Sequence, residues 1–312
     1  MFSAPIETVN QEIHSSLLKE KNIRLFLKRE DQIHPFVSGN KYRKLKYNIA
    51  EAKILQKDTL LTFGGAFSNH IVAVAVAGKR AGFKTIGVIR GEELGLDLDK
   101  TIATNATLRE AHAYGMQFHW VSRTAYRSKT TLAFITSLEE MFGDFFLIPE
   151  GGSNPLAVKG CEEILTPKDA RFQYVCAAVG TGGTLAGLIN AAKPHQKVLG
   201  FPALKGDFLT KEITHFVRSS NKWDLIHHYH FGGYAKYNQA LISFINTFKE
   251  ETNIQLDPIY TGKMLFGIVD LIKKNYFSEN TSVLAIHTGG LQGIDGFNRM
   301  LAKKNQKMIN LS

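Results

Sequence analysis

Apolar residues fall into short continuous runs and into longer segments with helical spacing, and the two kinds alternate along the chain. The runs predict strands at 24–28, 59–63, 85–89, 117–121, 145–148, 174–179, 198–201, 225–230 and 283–287. The helical spacing predicts helices near 41–55, 69–81, 101–114, 129–142, 155–165, 184–193, 208–218, 236–250, 261–275 and 291–302. Strands that alternate with helices of this length are typical of βαβ units and parallel sheets. The pattern therefore predicts an α/β fold.

Pairs of adjacent glycines follow the predicted strand ends at 64–65, 151–152, 182–183, 232–233 and 289–290. Ligands of open α/β sheets bind beyond the carboxyl ends of the strands, and glycine lets the backbone approach a ligand there. Turn formation alone would explain one or two of these pairs. Five pairs at one edge favour a shared ligand crevice.

The composition is that of a globular protein, with 312 residues of which 44% are hydrophobic and 21% charged. The length predicts about two domains. The longest apolar stretch, 71–77, is too short for a membrane span, so no membrane partner is expected. No basic segment precedes an apolar one at the start of the chain, which favours a cytoplasmic location. Cys161 and Cys176 lie in apolar surroundings and are expected to be reduced structural thiols.

The formal net charge of +10 raises the question of nucleic-acid binding. The densest basic cluster is 41–46, and no zinc-ligand spacing, RNA-binding motif or basic tail accompanies it. We therefore expect no nucleic-acid partner and assign the charge to the attraction of a small anionic ligand. A basic nucleic-acid module remains an alternative that salt-dependent binding would reveal.

The segment 174–187 predicts a binding loop for an anion, because a buried strand runs into a glycine-rich turn and then into a helix. The turn consists of Gly180, Thr181, Gly182, Gly183 and Thr184. Such a turn points free N–H groups and the positive end of a helix at an anion. The dinucleotide fingerprint would need glycine at 185, where Leu stands, and a P-loop would need Gly-Lys-Ser/Thr. A monophosphate fits this turn better than a dinucleotide or a triphosphate.

Lys41 is placed by its neighbours at the start of a predicted helix, which Ser38 or Asn40 can cap. The positive end of the helix and partial burial would lower the pKa of Lys41, so that its free amine can attack a carbonyl. Spacing alone leaves an ordinary surface lysine as the alternative for Lys41. For Lys44 and Lys46 a solvent-exposed position is the expectation.

The segment 63–70 is again strand, tight turn and helix start, and it brings a hydroxyl, a carboxamide and an imidazole together in Ser68, Asn69 and His70. A simple N-cap is the alternative for Ser68.

These motifs resemble those of the pyridoxal-phosphate (PLP) enzymes of the tryptophan-synthase-β fold type, also called fold type II. Within them the chain is most similar to the branch of D-cysteine desulfhydrase and 1-aminocyclopropane-1-carboxylate (ACC) deaminase. The resemblance runs from Lys28 to Gly293 and rests on the segments 38–45, 68–70, 179–184, 257–263 and 287–290 in the family's order. It implies two open twisted sheets flanked by helices, pyridoxal 5'-phosphate as the cofactor and a small amino acid as the substrate.

The resemblance also implies roles for individual residues. Lys41 would hold the cofactor as a Schiff base and move a proton at Cα, and the 180–184 turn would bind its phosphate. Asn69 would donate to the O3′ oxygen of the ring. Ser68 would bind the substrate carboxylate or act as a base or nucleophile. Tyr234 and Tyr260, which are 26 residues apart as in the family, would be active-site phenols near the lysine.

The partner of the ring nitrogen bears on the choice of substrate. ACC deaminases that resemble this chain have a carboxylate at the position of Thr261 and tend to have Leu at the position of Thr288. A threonine hydroxyl does not stabilise a pyridinium charge as a carboxylate does. Thr288 therefore resembles the neutral ring-nitrogen partner of D-cysteine desulfhydrases, which favours β-elimination of D-cysteine over ACC deamination. Phe67 stands where the branch usually has Gln and would reshape the substrate pocket.

The resemblance further implies a large cofactor-holding domain from 1–43 and 150–312, a small domain from 44–149 that closes over the substrate, and a homodimer. Elimination or deamination of another small amino acid is a broader alternative. A sensor that binds a phosphate ligand without catalysis is another, which the presence of Lys41, Ser68 and Tyr260 disfavours.

Overall fold

The structure is a computed structural model that describes residue 2 and residues 6–311. Its strands are β1 (Asn10–Ile13), β2 (Arg24–Lys28), β3 (Thr59–Gly65), β4 (Lys84–Arg90), β5 (Met116–Val121), β6 (Phe146–Ile148), β7 (Tyr174–Val179), β8 (Lys197–Pro202), β9 (Lys222–Leu225) and β10 (Ser282–Ile286). Its helices are α1 (Ser16–Glu20), α2 (Asn40–Ile54), α3 (Asn69–Ala81), α4 (Leu98–Thr104), α5 (Ala106–Ala113), α6 (Arg123–Arg127), α7 (Leu132–Phe142), α8 (Pro155–Glu162), α9 (Gly183–Ala191), α10 (Phe208–Phe216), α11 (Gln239–Thr252), α12 (Thr261–Lys273) and α13 (Ile294–Lys303). None of the helices in this described part is long and apolar enough to cross a bilayer.

The larger sheet has six strands in the order β1-β2-β10-β7-β8-β9, and all neighbours are parallel except β1 and β2. Residues Val175 to Val179 of the central strand β7 are all buried, as expected for a parallel strand that helices cover on both faces. On one face α11 and α12 contribute to a core that includes Ile245, Met264 and Ile268. On the other face α8 and α9 pack against the same strands.

The smaller sheet has four parallel strands in the order β5-β4-β3-β6. The strand β3 is buried from Thr59 to Gly64, and α3 covers it with an unbroken buried segment from His70 to Gly78. The carboxyl ends of β3, β7 and β10 lead directly into the loops that carry the sequence motifs. The α/β fold with two sheets flanked by helices is confirmed.

Several local predictions were wrong. The predicted strand 225–230 is instead the end of β9 followed by a 3-10 turn at His227–Tyr229, because β9 has β8 as its only sheet partner among the described residues and leaves the sheet after Leu225. The predicted helix 101–114 is broken into α4 and α5 at Asn105, whose extended backbone lets its side chain cap α5. Three short elements, β1, α1 and α6, were not predicted.

The glycine pairs lie where strands end, with one difference. Gly64 and Gly65 form the last two residues of β3 rather than following it, whereas 151–152, 182–183 and 289–290 follow β6, β7 and β10. The pair 232–233 follows the 3-10 turn after β9.

Candidate active site

The turn between β7 and α9, residues 180–184, is named the glycine cup. Gly182 precedes α9 with a φ of 83°, a left-handed conformation that favours glycine. A Cβ on Gly183 would lie 2.8 Å from the hydroxyl oxygen of Ser153 and 3.5 Å from Nζ of Lys44. The start of α9 is therefore in close contact with the polar side chains of Ser153 and Lys44.

Lys44 crosses from α2 to the glycine cup, which corrects the expectation that it lies on a solvent-exposed face. Its side chain is 2% exposed, and Nζ donates to the carbonyl oxygen of Gly151 at 2.9 Å and to Oγ of Ser153 at 3.0 Å. Ser153 and Thr181 are hydrogen-bonded through their hydroxyls at 2.5 Å. Burial lowers the pKa of Lys44. No carboxylate of the described residues forms an ion pair with it, so an anion in the cup would supply the missing charge.

Lys46 is partly exposed and pairs with Glu163, with Nζ and a carboxylate oxygen 2.7 Å apart. Lys46 is therefore a surface residue whose charge is paired with a carboxylate.

Lys41 lies in the first turn of α2, as predicted, but the predicted caps do not form. Gly39 precedes the helix with a φ of 59°, and α2 has no side-chain cap. A Cβ on Gly39 would lie 1.9 Å from the carbonyl oxygen of Thr288, so only glycine fits there. The amide of Asn40 instead donates to Oγ1 of Thr184 at 2.9 Å, which ties the start of α2 to the glycine cup.

The residue Lys41 as a whole is partly exposed, but its amine is buried and donates to Oδ1 of Asn40 at 3.1 Å. Burial, together with the neighbouring charge of Lys44, lowers the pKa of Lys41 to about 7. The free amine is therefore a populated form at neutral pH, unlike that of an ordinary lysine with a pKa of 10.5. A free amine is the form that attacks a carbonyl.

The turn from Gly65 to His70 is named the serine turn. Ser68 is at the N-cap position of α3, but its side chain makes no capping hydrogen bond, so its hydroxyl is not used as the simple cap that the alternative required. The carboxamide oxygen of Asn69 is buried and has no hydrogen-bond partner within residues 6–311. Phe67 is 59% exposed and rests against Gly296 of α13.

His70 is buried behind the serine turn, and a Cβ on Gly152 would lie 3.1 Å from its ring and 3.6 Å from the side chain of Lys44. Thr62 donates its hydroxyl to the carbonyl oxygen of Ile148 at 2.8 Å, so it must accept from Nε2–H of His70, which is also 2.8 Å away. Burial and the charge of Lys41 hold the pKa of His70 well below its usual range. The imidazole is therefore neutral and fixes the first turn of α3.

Tyr260 and Tyr234 form a pair on the opposite side of the crevice. Their ring centroids are 6.3 Å apart in an edge-to-face arrangement, and the two hydroxyls lie close enough for each to shift the pKa of the other. A Cβ on Gly180 would lie 3.2 Å from the ring of Tyr260, so this ring borders the glycine cup. Burial raises the pKa of both phenols, that of Tyr260 well above its ordinary value, so both remain protonated at neutral pH.

Asp257 and Thr261 organise the start of α12. The carboxylate of Asp257 accepts from the backbone N–H groups of Ile259, Tyr260 and Thr261 at 2.7 to 3.0 Å and from the hydroxyl of Thr261 at 2.9 Å. Thr261 is fully buried and its hydroxyl also accepts from the backbone N–H of Asp257 at 3.0 Å. The hydroxyl of Thr261 is therefore used within this loop.

Thr288 follows β10 and precedes the pair 289–290. Its side chain makes no hydrogen bond to any described residue, and its backbone carbonyl accepts from the N–H of Asn40 at 3.4 Å. A Cβ on Gly290 would lie 3.1 Å from the amide nitrogen of Asn69 and 3.4 Å from a carboxylate oxygen of Asp257. The crevice thus brings together the loops of Lys41, Asn69, Tyr260 and Thr288.

The chain belongs to the pyridoxal-phosphate dependent enzyme family, whose model matches residues 10–289. It is 32% identical to the bifunctional D-cysteine desulfhydrase/1-aminocyclopropane-1-carboxylate deaminase of Arabidopsis thaliana over 86% of this chain and 73% of that protein. It is 26% identical to the D-cysteine desulfhydrase of Klebsiella pneumoniae over 85% and 86% of the two chains. A solved structure described as an ACC deaminase homologue matches with a TM-score of 0.80 and 27% identity over 96% and 94% of the chains. The protein is thus a PLP-dependent enzyme, and the family implies a small amino acid as its substrate.

The residues present fit this cofactor. The glycine cup with Lys44, Ser153 and Thr181 offers several donors to a phosphate at the N-terminus of a helix. The partnerless oxygen of Asn69 leaves a polar group for a ligand. The amine of Lys41 has the lowered pKa that attack on an aldehyde requires.

Lys44, Ser153 and Asp257 belong to the site but were not predicted from the sequence. A signal for Lys44 was present, because residues three apart on a helix share a face and Lys44 follows Lys41 by one turn. Asp257 begins the segment 257–263 that carries the family resemblance, but no role was assigned to it, and Ser153 gave no signal because its place depends on contacts between distant segments.

Proposed function

We propose that this protein is a D-cysteine desulfhydrase, which converts D-cysteine and water into pyruvate, hydrogen sulfide and ammonia. The observation that carries the proposal is the free hydroxyl of Thr288 at the end of β10, where no hydrogen bond to a described residue engages it. This hydroxyl is available as a neutral partner of the cofactor ring nitrogen.

The other residues that could pair with the cofactor ring nitrogen, Thr261 and Asp257, are already engaged in hydrogen bonds and favour the same conclusion. Thr261 stands where similar ACC deaminases have a carboxylate, and its hydroxyl is already bound to Asp257. Four donors occupy the carboxylate of Asp257, which leaves it as the organiser of the α12 start. A neutral partner such as the Thr288 hydroxyl would not stabilise a positive charge on the ring nitrogen as a carboxylate does, which favours β-elimination over opening of a cyclopropane ring.

Pyridoxal phosphate, when bound, supplies an electron-withdrawing ring that weakens the bonds at Cα of an attached amino acid. Lys41 would hold the cofactor through its amine, and the same amine, when free, would move a proton at Cα of the substrate. The pKa of about 7 suits this role, because the free amine can accept a proton and the ammonium can return it at neutral pH.

The glycine cup and the serine turn bind different groups, the first the cofactor phosphate and the second the substrate carboxylate. The glycine cup and Lys44 hold the phosphate through N–H and O–H donors and one positive charge. The N–H groups at the start of α3 and the hydroxyl of Ser68 hold the substrate carboxylate, since no side-chain cap competes for them. Asn69 orients the cofactor through its carboxamide, at the O3′ oxygen of the ring.

Tyr260 and Tyr234 act as proton-bearing phenols over the crevice. Because burial raises their pKa values, they remain donors throughout the neutral range. Tyr260 lies next to the glycine cup and Tyr234 lies farther toward solvent, with 43% of it exposed. We assign Tyr260 to the substrate and to keeping Lys41 neutral, and Tyr234 to holding the phenol of Tyr260.

ACC deamination to 2-oxobutanoate and ammonia is the second candidate, and it is favoured by the structural match to an ACC deaminase homologue. The deciding experiment measures keto-acid release by the PLP-loaded protein from a panel of D-cysteine, L-cysteine, ACC, D-serine and D-alanine, with sulfide measured in parallel. We expect pyruvate and sulfide in equal amounts from D-cysteine. Turnover of ACC without turnover of D-cysteine would exclude our assignment.

We further propose that 44–149 forms a small domain that closes on 1–43 and 150–312, and that the enzyme is a cytoplasmic homodimer. Light scattering of the purified protein measures the oligomeric state, and a monomer mass would contradict the dimer.

A further inference from the structure

The loop that carries Tyr234 has an unfavourable backbone. Phe231 and Ala235 have φ angles of 54° and 55°, and the glycines between them, Gly232 and Gly233, have 96° and 119°. Non-glycine residues enter the left-handed region at a cost, and such residues persist only where the surroundings hold them. Residues 230–235 therefore need fixed contacts to present Tyr234 in one position.

Lys263 supplies two such contacts. Its side chain is 2% exposed, and Nζ donates to the carbonyl oxygens of His230 and Gly233, both at 2.9 Å. The same two carbonyls already accept from the N–H groups of Gly233 and Lys236 within the loop. The ammonium therefore bridges the two ends of the turn that precedes Tyr234.

The position of Lys263 links both tyrosines to one helix. Lys263 lies in the first turn of α12, three residues after Tyr260, which precedes that helix. The loop bound by Lys263 is thus held to the same rigid element that positions Tyr260. A change in the contacts of Lys263 would alter the separation of the two phenols without touching either ring.

A charged lysine at position 263 costs folding free energy. The positive end of a helix disfavours an ammonium, and burial lowers the pKa of Lys263 to about 8. Lys28 is equally buried, but its Nζ lies 2.9 Å from a carboxylate oxygen of Asp169. Among the described residues Lys263 has no ion pair, and carbonyl oxygens are its hydrogen-bond partners.

We propose that Lys263 is a positioning residue that clamps residues 230–234 onto α12, so that the phenol of Tyr234 stays in place beside that of Tyr260. The inference rests on the proposed function only in that turnover of a small amino acid reports the position of Tyr234.

The test is a double-mutant cycle of Lys263→Met and Tyr234→Phe, assayed with PLP-loaded protein and the amino acid that the wild type turns over best. We expect each single variant to lower kcat by about tenfold or more. The double variant should lie within about twofold of the lower single variant, because both changes remove the same contact. The cofactor absorption band should be retained in all variants.

Lys28→Met is the matched control, since it removes an equally buried lysine from β2, far along the chain from α12. Amide hydrogen exchange of the cofactor-free chain gives a second readout, in which Lys263→Met should speed exchange in residues 230–236 and Lys28→Met should not. If melting shows that Lys263→Met does not fold, Lys263→Gln, which keeps an NH2 donor, replaces it in the cycle and should retain part of kcat.

Three results would overturn the proposal: independent losses of kcat that multiply in the double variant, an unchanged kcat in either single variant, or equal exchange in the loop with and without Lys263. Failure of the wild type to turn over D-cysteine would refute the proposed function and not this inference, because the exchange measurement needs neither substrate nor cofactor.

Discussion

The glycine cup and the serine turn are both tight connections from a strand to the N-terminus of a helix, yet their side chains differ. The cup is bordered by donors that are fixed among themselves, with Lys44 buried and Ser153 bound to Thr181. The serine turn has an unused hydroxyl at Ser68, a partnerless oxygen at Asn69 and an exposed ring at Phe67 among the described residues.

The difference indicates two kinds of ligand. A rigid set of donors with a surplus positive charge suits a group that stays bound, such as the cofactor phosphate, because little order has to be created on binding. Unused polar groups beside solvent suit a group that comes and goes, such as a substrate carboxylate. Variants at the two turns should therefore separate cofactor affinity from substrate affinity.

Lys41→Ala should have the largest effect, because it removes the amine that we propose to bind the cofactor and to move the proton at Cα. We expect the visible absorption band of the covalently bound cofactor to be lost and kcat to fall by at least about 10³-fold. Melting temperature in the absence of PLP should not fall, since a costly buried amine is removed. Retention of the band in Lys41→Ala would show that another lysine binds the aldehyde.

Lys44→Met tests the glycine cup. Loss of one charged donor to the phosphate should raise the Kd for PLP about 10- to 100-fold, corresponding to about 1.5–3 kcal/mol. Titration of the cofactor-free protein by fluorescence measures this Kd, and the KM for the amino acid should stay within about twofold once PLP saturates. Lys46→Met serves as the control, because Lys46 lies on the same helix but pairs with Glu163 instead of facing the cup. An equal rise of KM would mean that the two turns are not separate in function.

Ser68→Ala tests the serine turn and should give the converse result. We expect the KM for the amino acid to rise about 3- to 10-fold, as for the loss of one hydrogen bond, with the Kd for PLP unchanged. Steady-state kinetics at saturating PLP measures the first quantity. A lower PLP affinity with unchanged KM would assign Ser68 to the cofactor.

The pH dependence of cofactor capture should show the smallest effect. The lowered pKa of Lys41, about 7, predicts that the rate of PLP attachment rises with pH through that value and levels off above about pH 8. The folded chain then binds fewer protons than the unfolded chain between pH 7 and the ordinary lysine value of 10.5, so this group makes the cofactor-free fold more stable as pH rises through that window. A capture rate that still rises about tenfold per pH unit above pH 8 would contradict the lowered pKa.

The sequence pattern predicted the α/β fold, most helices and the order of the motifs, because hydrophobic periodicity and glycine pairs are local signals. α3 was predicted with its observed bounds, 69–81. The edge of the larger sheet at β9 was not, since only a partner strand determines where an edge strand ends. Lys44 was misplaced for a related reason, as its burial depends on Gly151 and Ser153, which lie 107 and 109 positions away in the chain. The roles of Lys41, Ser68, Tyr234 and Tyr260 remain predictions for the experiments above.

The backbone contact of Gly39 with Thr288 fixes the distance between the start of α2 and the end of β10. The α-carbon of Gly39 lies so close to the carbonyl of Thr288 that a single methyl group would overlap that oxygen, and its left-handed backbone already disfavours a side chain. Whatever moves Gly39 also moves Lys41, two residues on, relative to the end of β10. Two segments in direct backbone contact therefore set the distance between Lys41 and Thr288. An aromatic ring that binds between these two residues must fit that distance.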